Sequence, residues 1–420
     1  MISAALNLVL AAGYPSLQDT AMYEVNFRAF SKQGGFRGVT ERMDHFVKLN
    51  VNTLWLMPIF PVGKVRSAGG LGSPYSVQNY DTVNPEFGTI SDFRALVAAA
   101  HKRKIKIVLD WVPNHTSWEK RWLANKDWYT QNETGEIQIP AGTNWNDVAD
   151  LNYDNQEMRA AMIRSMSTWV TKERVDGFRC DVADSVPIDF WKQAITKINK
   201  DAGRPVLWLA EGSRHENLTA GFDLNYGWPP YGAVRDLFAS KRKPKEWAEI
   251  ALKNDPPGLR FITNHDEAAW DNSAVTNFGG KDAAFAAFAA TSLSNGVPLI
   301  YTGQEIGWPD KIPFFDKSEI DWNSGQDQLK RYQKLMTVRA SSPALRSGSI
   351  QPIPSGSILG FVKQKMSETA IVLVNPTKQP QPIDIPVAYQ GKWTSALGTL
   401  TKLPPTVTLA PHRVEVLLRR

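Results

Sequence analysis

In the stretch VDGFRCDVAD, Val175 to Asp184, the residues Phe178, Cys180 and Val182 have the apolar character of a buried strand, yet Arg179 and Asp181 alternate with them. Burying a charge costs several kcal/mol unless it is paired. The two are therefore an isolated structural ion pair or part of a site. Four more residues bear on the choice. Asp110 closes the apolar core of KIKIVLDWV, Glu211 closes PVLWLAE, and His265 with Asp266 closes LRFITNHD. Acids at corresponding ends of four apolar runs are more than one ion pair requires. The sequence has no GxGxxG, phosphate loop, HExxH or CxxC, so nucleotide, metal and redox chemistry find no support. Carboxylates without such partners suit cleavage of a glycosidic bond, which needs one ionised and one protonated acid beside it. Arg179, on the same strand face as Asp181, is expected to hold that acid ionised as a nucleophile. Glu211, ending an apolar strand, is expected to be desolvated enough to act as a general acid.

Eight short apolar runs position these groups: Ala21–Phe27, Asn52–Pro58, Lys104–Val112, Asp176–Val182, Pro205–Glu211, Gly221–Asn225, Leu259–His265 and Val297–Gly303. Helical patterns separate them, the clearest over Asn155–Arg174, where Met158, Met162, Met166, Trp169 and Val170 recur at helical spacing as core residues. This alternation predicts an α/β fold, a (β/α)₈ TIM barrel whose site lies at the C-terminal ends of the strands. Residues 1–115 and 151–341 are assigned to the barrel, and 116–150 to a short insert after strand three, rich in Asn, Gly and Trp. Residues 342–420 form short alternating strands split by Pro-rich turns, which predicts a C-terminal all-β sandwich domain.

Composition agrees with a globular chain: 420 residues, 42% hydrophobic and 21% charged. The net charge of +6 is scattered, and its densest run, KRKPK at Lys241–Lys245, lacks the aromatic or glycine pattern of a nucleic-acid surface. Neither nucleic acid nor membrane is expected as a partner, since no apolar run approaches the roughly 20 residues of a membrane helix. The opening MISAALNLVLAAG has no basic n-region, so as written it is no export signal. The chain is then cytoplasmic, or periplasmic or secreted if a leader was removed. The lone Cys180 excludes an internal disulfide, and the sequence is silent on oligomeric state.

The motifs DWVPNH (Asp110–His115), GFRCDVAD (Gly177–Asp184), LAEG (Leu209–Gly212) and FITNHD (Phe261–Asp266) follow one another on successive strands. With GSPYSVQNYDTVNPEFGT (Gly72–Thr89) and VADLN (Val148–Asn152), the chain resembles the α-amylase family of glycoside hydrolases along nearly its whole length. The resemblance implies Asp181 as nucleophile, Glu211 as general acid/base and Asp266 as the third carboxylate, which grips sugar hydroxyls. It implies Tyr75, His115, Arg179 and His265 as the substrate-binding set, with Tyr75 stacking on the sugar and Asp110 supporting Arg179. Asn114 and Asp150 match two ligand positions of a structural Ca²⁺ found in the family, while the chemistry itself requires no cofactor.

The activity implied is α-retaining hydrolysis of starch-like glucans or malto-oligosaccharides by double displacement. An α-1,6-glucosidase or a transglycosylase of the same family is the alternative, and a non-catalytic binding homologue a lesser one, since all three carboxylates and both histidines are present. The chain departs from the pattern of many starch-cleaving members beyond the nucleophile, with Asp184 and Ser185 in place of Lys-His and Gly212 after Glu211. Val182 leans toward α-1,6 specificity, whereas FRCDVADSVPIDFW resembles small bacterial amylases. Among the loop tryptophans Trp118, Trp128, Trp145, Trp228 and Trp270, the motif-adjacent Trp145 and Trp270 are the better sugar-stacking candidates.

Overall fold

The computed structural model describes residues 16–252 and 258–420. The apolar opening segment, and any reading of it as a leader, lies outside the described residues. Eight parallel strands close a barrel in the order β1-β10-β9-β8-β7-β6-β3-β2. They are β1 (Met22–Val25), β2 (Thr53–Leu56), β3 (Lys106–Trp111), β6 (Gly177–Cys180), β7 (Leu207–Ala210), β8 (Leu224–Tyr226), β9 (Gly258–Arg260) and β10 (Val297–Tyr301). Two more strands, β4 (His115–Ser117) and β5 (Val148–Asp150), pair antiparallel and fasten the two ends of the insert. The barrel strands are short and apolar because helices cover them outside and side chains fill them inside.

The helix Gln156–Thr171 shows how such a cover forms. Asn155 caps it by accepting from the Glu157 and Met158 amides, and Met158, Met162, Met166, Trp169 and Val170 are all buried on one face. No helix among the described residues is long and apolar enough to cross a membrane. After the helix Gln326–Ser341 and a short turn, Pro343–Ser347, the chain becomes all β. A five-stranded antiparallel sheet and two two-stranded sheets enclose a core containing Ile358, Ile371, Leu373, Leu403 and Leu417.

The strand ends differ from the sequence expectation in one respect that matters for the site. The strands stop at Cys180, Ala210 and Arg260. Asp181 and Glu211 are thus the first residues past their strands, and His265 and Asp266 lie further out on a loop. The ladder still controls the first two. Asp181 donates its amide to Trp111 O at 2.8 Å and Glu211 its amide to Cys180 O at 3.0 Å, so both side chains leave the barrel at the same height.

One buried cation ties the C-terminal sheets to the barrel. Lys363, with no exposed surface, donates from Nζ to the carbonyls of Leu345 (2.6 Å), Ser294 (3.1 Å) and Leu293 (3.4 Å). Leu293 and Ser294 follow the helix Lys281–Ser292, whose C-terminal end favours positive charge. Burial nevertheless pulls the ammonium down to about 7. An unfolded lysine titrates near about 10.4, so between these values the unfolded chain binds more protons and stability rises with pH. We expect the wild-type stability, measured by urea unfolding at successive pH values from 6 to 10, to climb relative to Lys363→Met. Parallel curves would show that the ammonium is not strained.

Candidate active site

The register of β3 against β6 sets Asp110 directly beside Arg179. Arg179 is fully buried, and its guanidinium is divided among four partners. Nη1 donates to Asp110 Oδ1 and to Asp181 Oδ1, each at 2.8 Å. Nε donates to the Tyr226 hydroxyl at 3.0 Å. Nη2 sits 2.9 Å from Glu211 Oε2 as an ion pair, without the alignment of a hydrogen bond. Asp110 is held in turn by Trp55 Nε1 at 3.0 Å and the Tyr75 hydroxyl at 2.9 Å through Oδ2.

The residue after Asp181 completes the arrangement. Val182 takes a left-handed conformation, φ 35° and ψ 47°, strained for a β-branched side chain by about 1–3 kcal/mol. The turn aims the Val182 amide at Glu211 Oε2, 2.7 Å away. Each of the two carboxylates is therefore anchored through one oxygen. Asp181 Oδ2 and Glu211 Oε1 accept no protein hydrogen bond among the described residues, and both side chains line an open cleft of about 560 Å³.

Tyr75, His115, His265 and Asp266 line the same cleft. Arg179, grouped by sequence with the substrate contacts, does not. It lies under the cleft, with its guanidinium carbon 5.1 Å from the Trp55 ring and 5.6 Å from the Tyr75 ring. Its partners are the carboxylates, and it acts on the cleft through them. A second correction concerns Asp181. Burial pushes its carboxyl well above the ordinary range, Arg179 opposes this, and the neighbouring charges of Glu211 and Asp110 reinforce it. The guanidinium does not offset the desolvation of Asp181. Asp110 is raised by burial in the same way.

The two histidines differ in charge. Burial lowers His115 to about 4, which leaves it neutral near pH 7. His265 is also buried, but the charges of Asp266 and Glu24, and its contact with Glu24, hold it up at about 9. Its Nδ1 meets Glu24 Oε1 at 2.5 Å, and its Nε2 meets the Tyr75 hydroxyl at 2.8 Å and Asp266 Oδ2 at 3.3 Å. Glu24 and Tyr226 were missed in the sequence. Glu24 carries the signal that exposed Arg179, a charge within an apolar strand. Tyr226 carries none.

Of the tryptophans, Trp145 and Trp270 line the cleft and are 38% and 60% exposed. Trp128 is buried, Trp228 packs on Tyr226 and Phe261, and Trp118 donates to Asn146 O with Arg66 over its ring. Phe314 and Phe315, also on the lining, gave no sequence signal.

Asn114 and Asp150 come close through the β4–β5 pairing, where His115 stands opposite Asp150. Asp150 Oδ2 accepts from Thr130 at 2.7 Å, and Asn114 Nδ2 lies 3.3 Å from His115 Nδ1. They supply one carboxylate and one amide oxygen, against the roughly six to eight oxygens that Ca²⁺ takes. No cluster of three or more His, Cys, Asp or Glu that could hold a metal is present among the described residues. Asn114 and Asp150 would be two of the calcium ion's oxygen donors, and no step below runs through the ion.

The departures near the leaving-group side are one structural feature. Asp184 accepts from the Ser213 amide and from Asn217 Nδ2, both at 2.8 Å, and pairs with Arg214. A Cβ on Gly212 would lie 2.1 Å from Asp184 Oδ1, so the acid at 184 requires the glycine at 212.

Two outcomes are expected. Gly212→Ala displaces Asp184 and lowers Tm by several degrees, and Asp184→Ala in the same chain restores part of the loss; equal Tm values for wild type and Gly212→Ala would overturn the steric account. In NMR of histidine-labelled protein, one imidazole, absent from His265→Gln, titrates near pH 9, protonated below that value and neutral above it. A midpoint near the ordinary histidine value would remove the charge assigned to it.

The family signature described as alpha amylase, catalytic domain, matches residues 16–205. Alpha-amylase 3 of Dictyoglomus thermophilum is 28% identical over 441 residues, covering 86% of this chain and 85% of that protein. Alpha-amylase MalA of Haloarcula japonica is 25% identical over 403 residues, covering 89% of this chain, which spans only 58% of MalA. The crystal structure of an alpha-amylase from Lactobacillus plantarum superposes with a TM-score of 0.86 at 28% identity, over 96% of this chain and 99% of the other. With the barrel and the acids at its rim already in view, residues 16–205 belong to the α-amylase catalytic-domain family of glycoside hydrolases, and the fold over 96% of the chain is that of an α-amylase.

Proposed function

We propose that the chain is a retaining α-glucan hydrolase acting on starch-like or malto-oligosaccharide substrates. One observation carries the reading. Two nitrogens of a single guanidinium hold Asp181 and Glu211 by one oxygen each and leave the other oxygens to the cleft. Carboxylates one guanidinium apart suit double displacement, which works at about 5–5.5 Å, better than inversion, which needs room for water between them. The named activities of the relatives, α-amylases, point to the same bond.

In the first step, protonated Glu211 gives its proton to the glycosidic oxygen while Asp181 Oδ2 attacks the anomeric carbon. The C–O bond to the leaving sugar breaks, and a β-glycosyl ester forms on Asp181. In the second, Glu211, now a carboxylate, takes a proton from water. The water oxygen displaces Asp181 and the α-anomer is released. Cationic His265 and Asp266 are suited to hydroxyls of the sugar whose bond is cut, and neutral His115 can donate or accept there. Burial that disfavours a bare charge on Asp181 also makes that oxygen a poorly solvated, reactive nucleophile once ionised.

Asp181→Asn is expected to lose about 10⁴-fold or more in kcat while still binding oligosaccharide. Proton NMR of the first sugar formed from maltotriose by the wild type should show the α-anomer, and an initial β-anomer would exclude this mechanism. Comparing reducing-sugar release from maltotriose, isomaltotriose and soluble starch then assigns the linkage, and products longer than the substrate would reveal transfer.

A further inference from the structure

On the face of the barrel opposite the cleft, the chain forms a second cavity of about 290 Å³. Asp19, Asn52 and Lys104 reach it from the turns that precede β1, β2 and β3. Arg103 stands next to Lys104 in the chain, and Arg339 and Arg346 come from the helices Gln326–Ser341 and Pro343–Ser347. Four cations thus share the lining with one carboxylate. Scattered surface charge needs no explanation, but cations gathered around a concave space focus a field on whatever enters it.

The pairing of these groups shows how much charge stays unmatched. Arg346 Nη1 pairs with Asp19, and the Nε of the same arginine is buried without a partner. Arg103 Nε meets Asp44 Oδ1 at 2.7 Å, and its Nη1 donates to Ala99 O at 3.3 Å. Arg339 differs. It is only 3% exposed, yet it pairs with no acid among the described residues. Its Nη2 donates to Gln18 O at 3.0 Å, while its Nε and Nη1 donate to nothing among those residues. Lys104 is exposed and also pairs with no acid among them. Burial and the nearby charge of Arg346 pull Arg339 down to about 10, with Asp19 opposing, and Arg339 in turn disfavours the charge on Lys363.

Buried charges are ordinarily paired. Arg346 with Asp19 and Arg103 with Asp44 close between themselves, so the charges of Arg339 and Lys104 remain at one cavity. Neutrality there asks for a dianion. A guanidinium with unused N–H donors and a nearby ammonium suit the oxygens of a phosphate group, which carries about −1.5 to −2 near pH 7. The cleft, lined by Asp181, Glu211 and Asp266, repels the same ion.

We propose that this cavity binds a small dianion of the phosphate class through Arg339 and Lys104. The site is remote from the cleft and independent of the hydrolase reading. Its occupant bridges the turn before β3 and the helix Gln326–Ser341, and stabilises the folded chain by mass action. Inorganic phosphate and a sugar phosphate share the required chemistry.

Titration calorimetry of the full chain with inorganic phosphate, near neutral pH and at constant ionic strength, should show a single site. Phosphate should also raise Tm where chloride at equal ionic strength does not. Arg339→Met should weaken binding roughly tenfold or more, as loss of a charged donor does. Lys104→Gln, at an exposed position that leaves the core intact, should weaken it roughly threefold. No binding by the wild type, or unchanged binding in Lys104→Gln, overturns the site even if Arg339→Met fails to fold. Excess maltotriose should leave the isotherm as it was; competition would put the ion in the cleft and refute the assignment. Glucose 1-phosphate bound with the same dependence on Lys104 and Arg339 supports the site with a sugar phosphate as its ligand. Binding of inorganic phosphate alone supports it with the free ion.

Discussion

Everything at the rim of this barrel depends on how one buried guanidinium is shared. Arg179 has no contact with solvent, and desolvating it is tolerable only because carboxylates surround it. The converse also holds. Asp110, Asp181 and Glu211 gather at one point because a fixed cation stands there. Removing the arginine would leave three acids facing one another in a poorly solvated space, a far greater disturbance than the loss of one contact. Asp110 does no chemistry in this picture. It takes one lobe of the guanidinium and sets the direction of the nitrogens that hold the other two acids.

The network extends beyond Arg179, and its charge does not balance. From Asp110 it runs through the Tyr75 hydroxyl to His265 and then to Glu24. Two cations, Arg179 and His265, face the acids Glu24, Asp110, Asp181, Glu211 and Asp266. Burial raises Glu24, Asp110 and Asp181, so these three carboxyls hold a proton more tightly than isolated carboxylates do. An acid-rich site with fixed dipoles favours positive charge arriving in the cleft, and an oxocarbenium-like sugar supplies such charge only as the bond breaks.

Much of this was legible because charge inside an apolar strand is rare and the barrel dictates where such a strand ends. Asp110, Arg179, Asp181 and Glu211 were found in that way. What escaped falls into two kinds. Glu24 and Tyr226 belong to other barrel strands, β1 and β8: the acid in MYEV carries the same kind of signal as Arg179, whereas a tyrosine in a strand is ordinary. The upward push on Asp181 and the division of labour between Arg179 and the cleft depend on burial and on which nitrogen meets which oxygen. No spacing rule reports those quantities. Phe314 and Phe315 lie far in sequence from every motif and become neighbours of Tyr75 only through closure of the barrel.

That closure also explains where the chain accepts strain and tight contact. Val182 holds a left-handed turn that a β-branched residue resists, and the gain is an amide aimed at Glu211 that no side chain in this position could supply. Across the barrel, the loop after β2 meets the loop after β10 through the Leu71 amide, which donates to Phe315 O at 2.8 Å. Gly69 approaches so closely that a Cβ there would stand 2.4 Å from that of Phe315. Phe315 on the cleft lining is thus seated against a glycine on a different loop, just as Asp184 is seated against Gly212. In both cases a missing side chain on one loop lets a side chain on its neighbour take its position. No residue of the eight barrel strands lines the cleft, so loop-to-loop contacts of this kind set its shape.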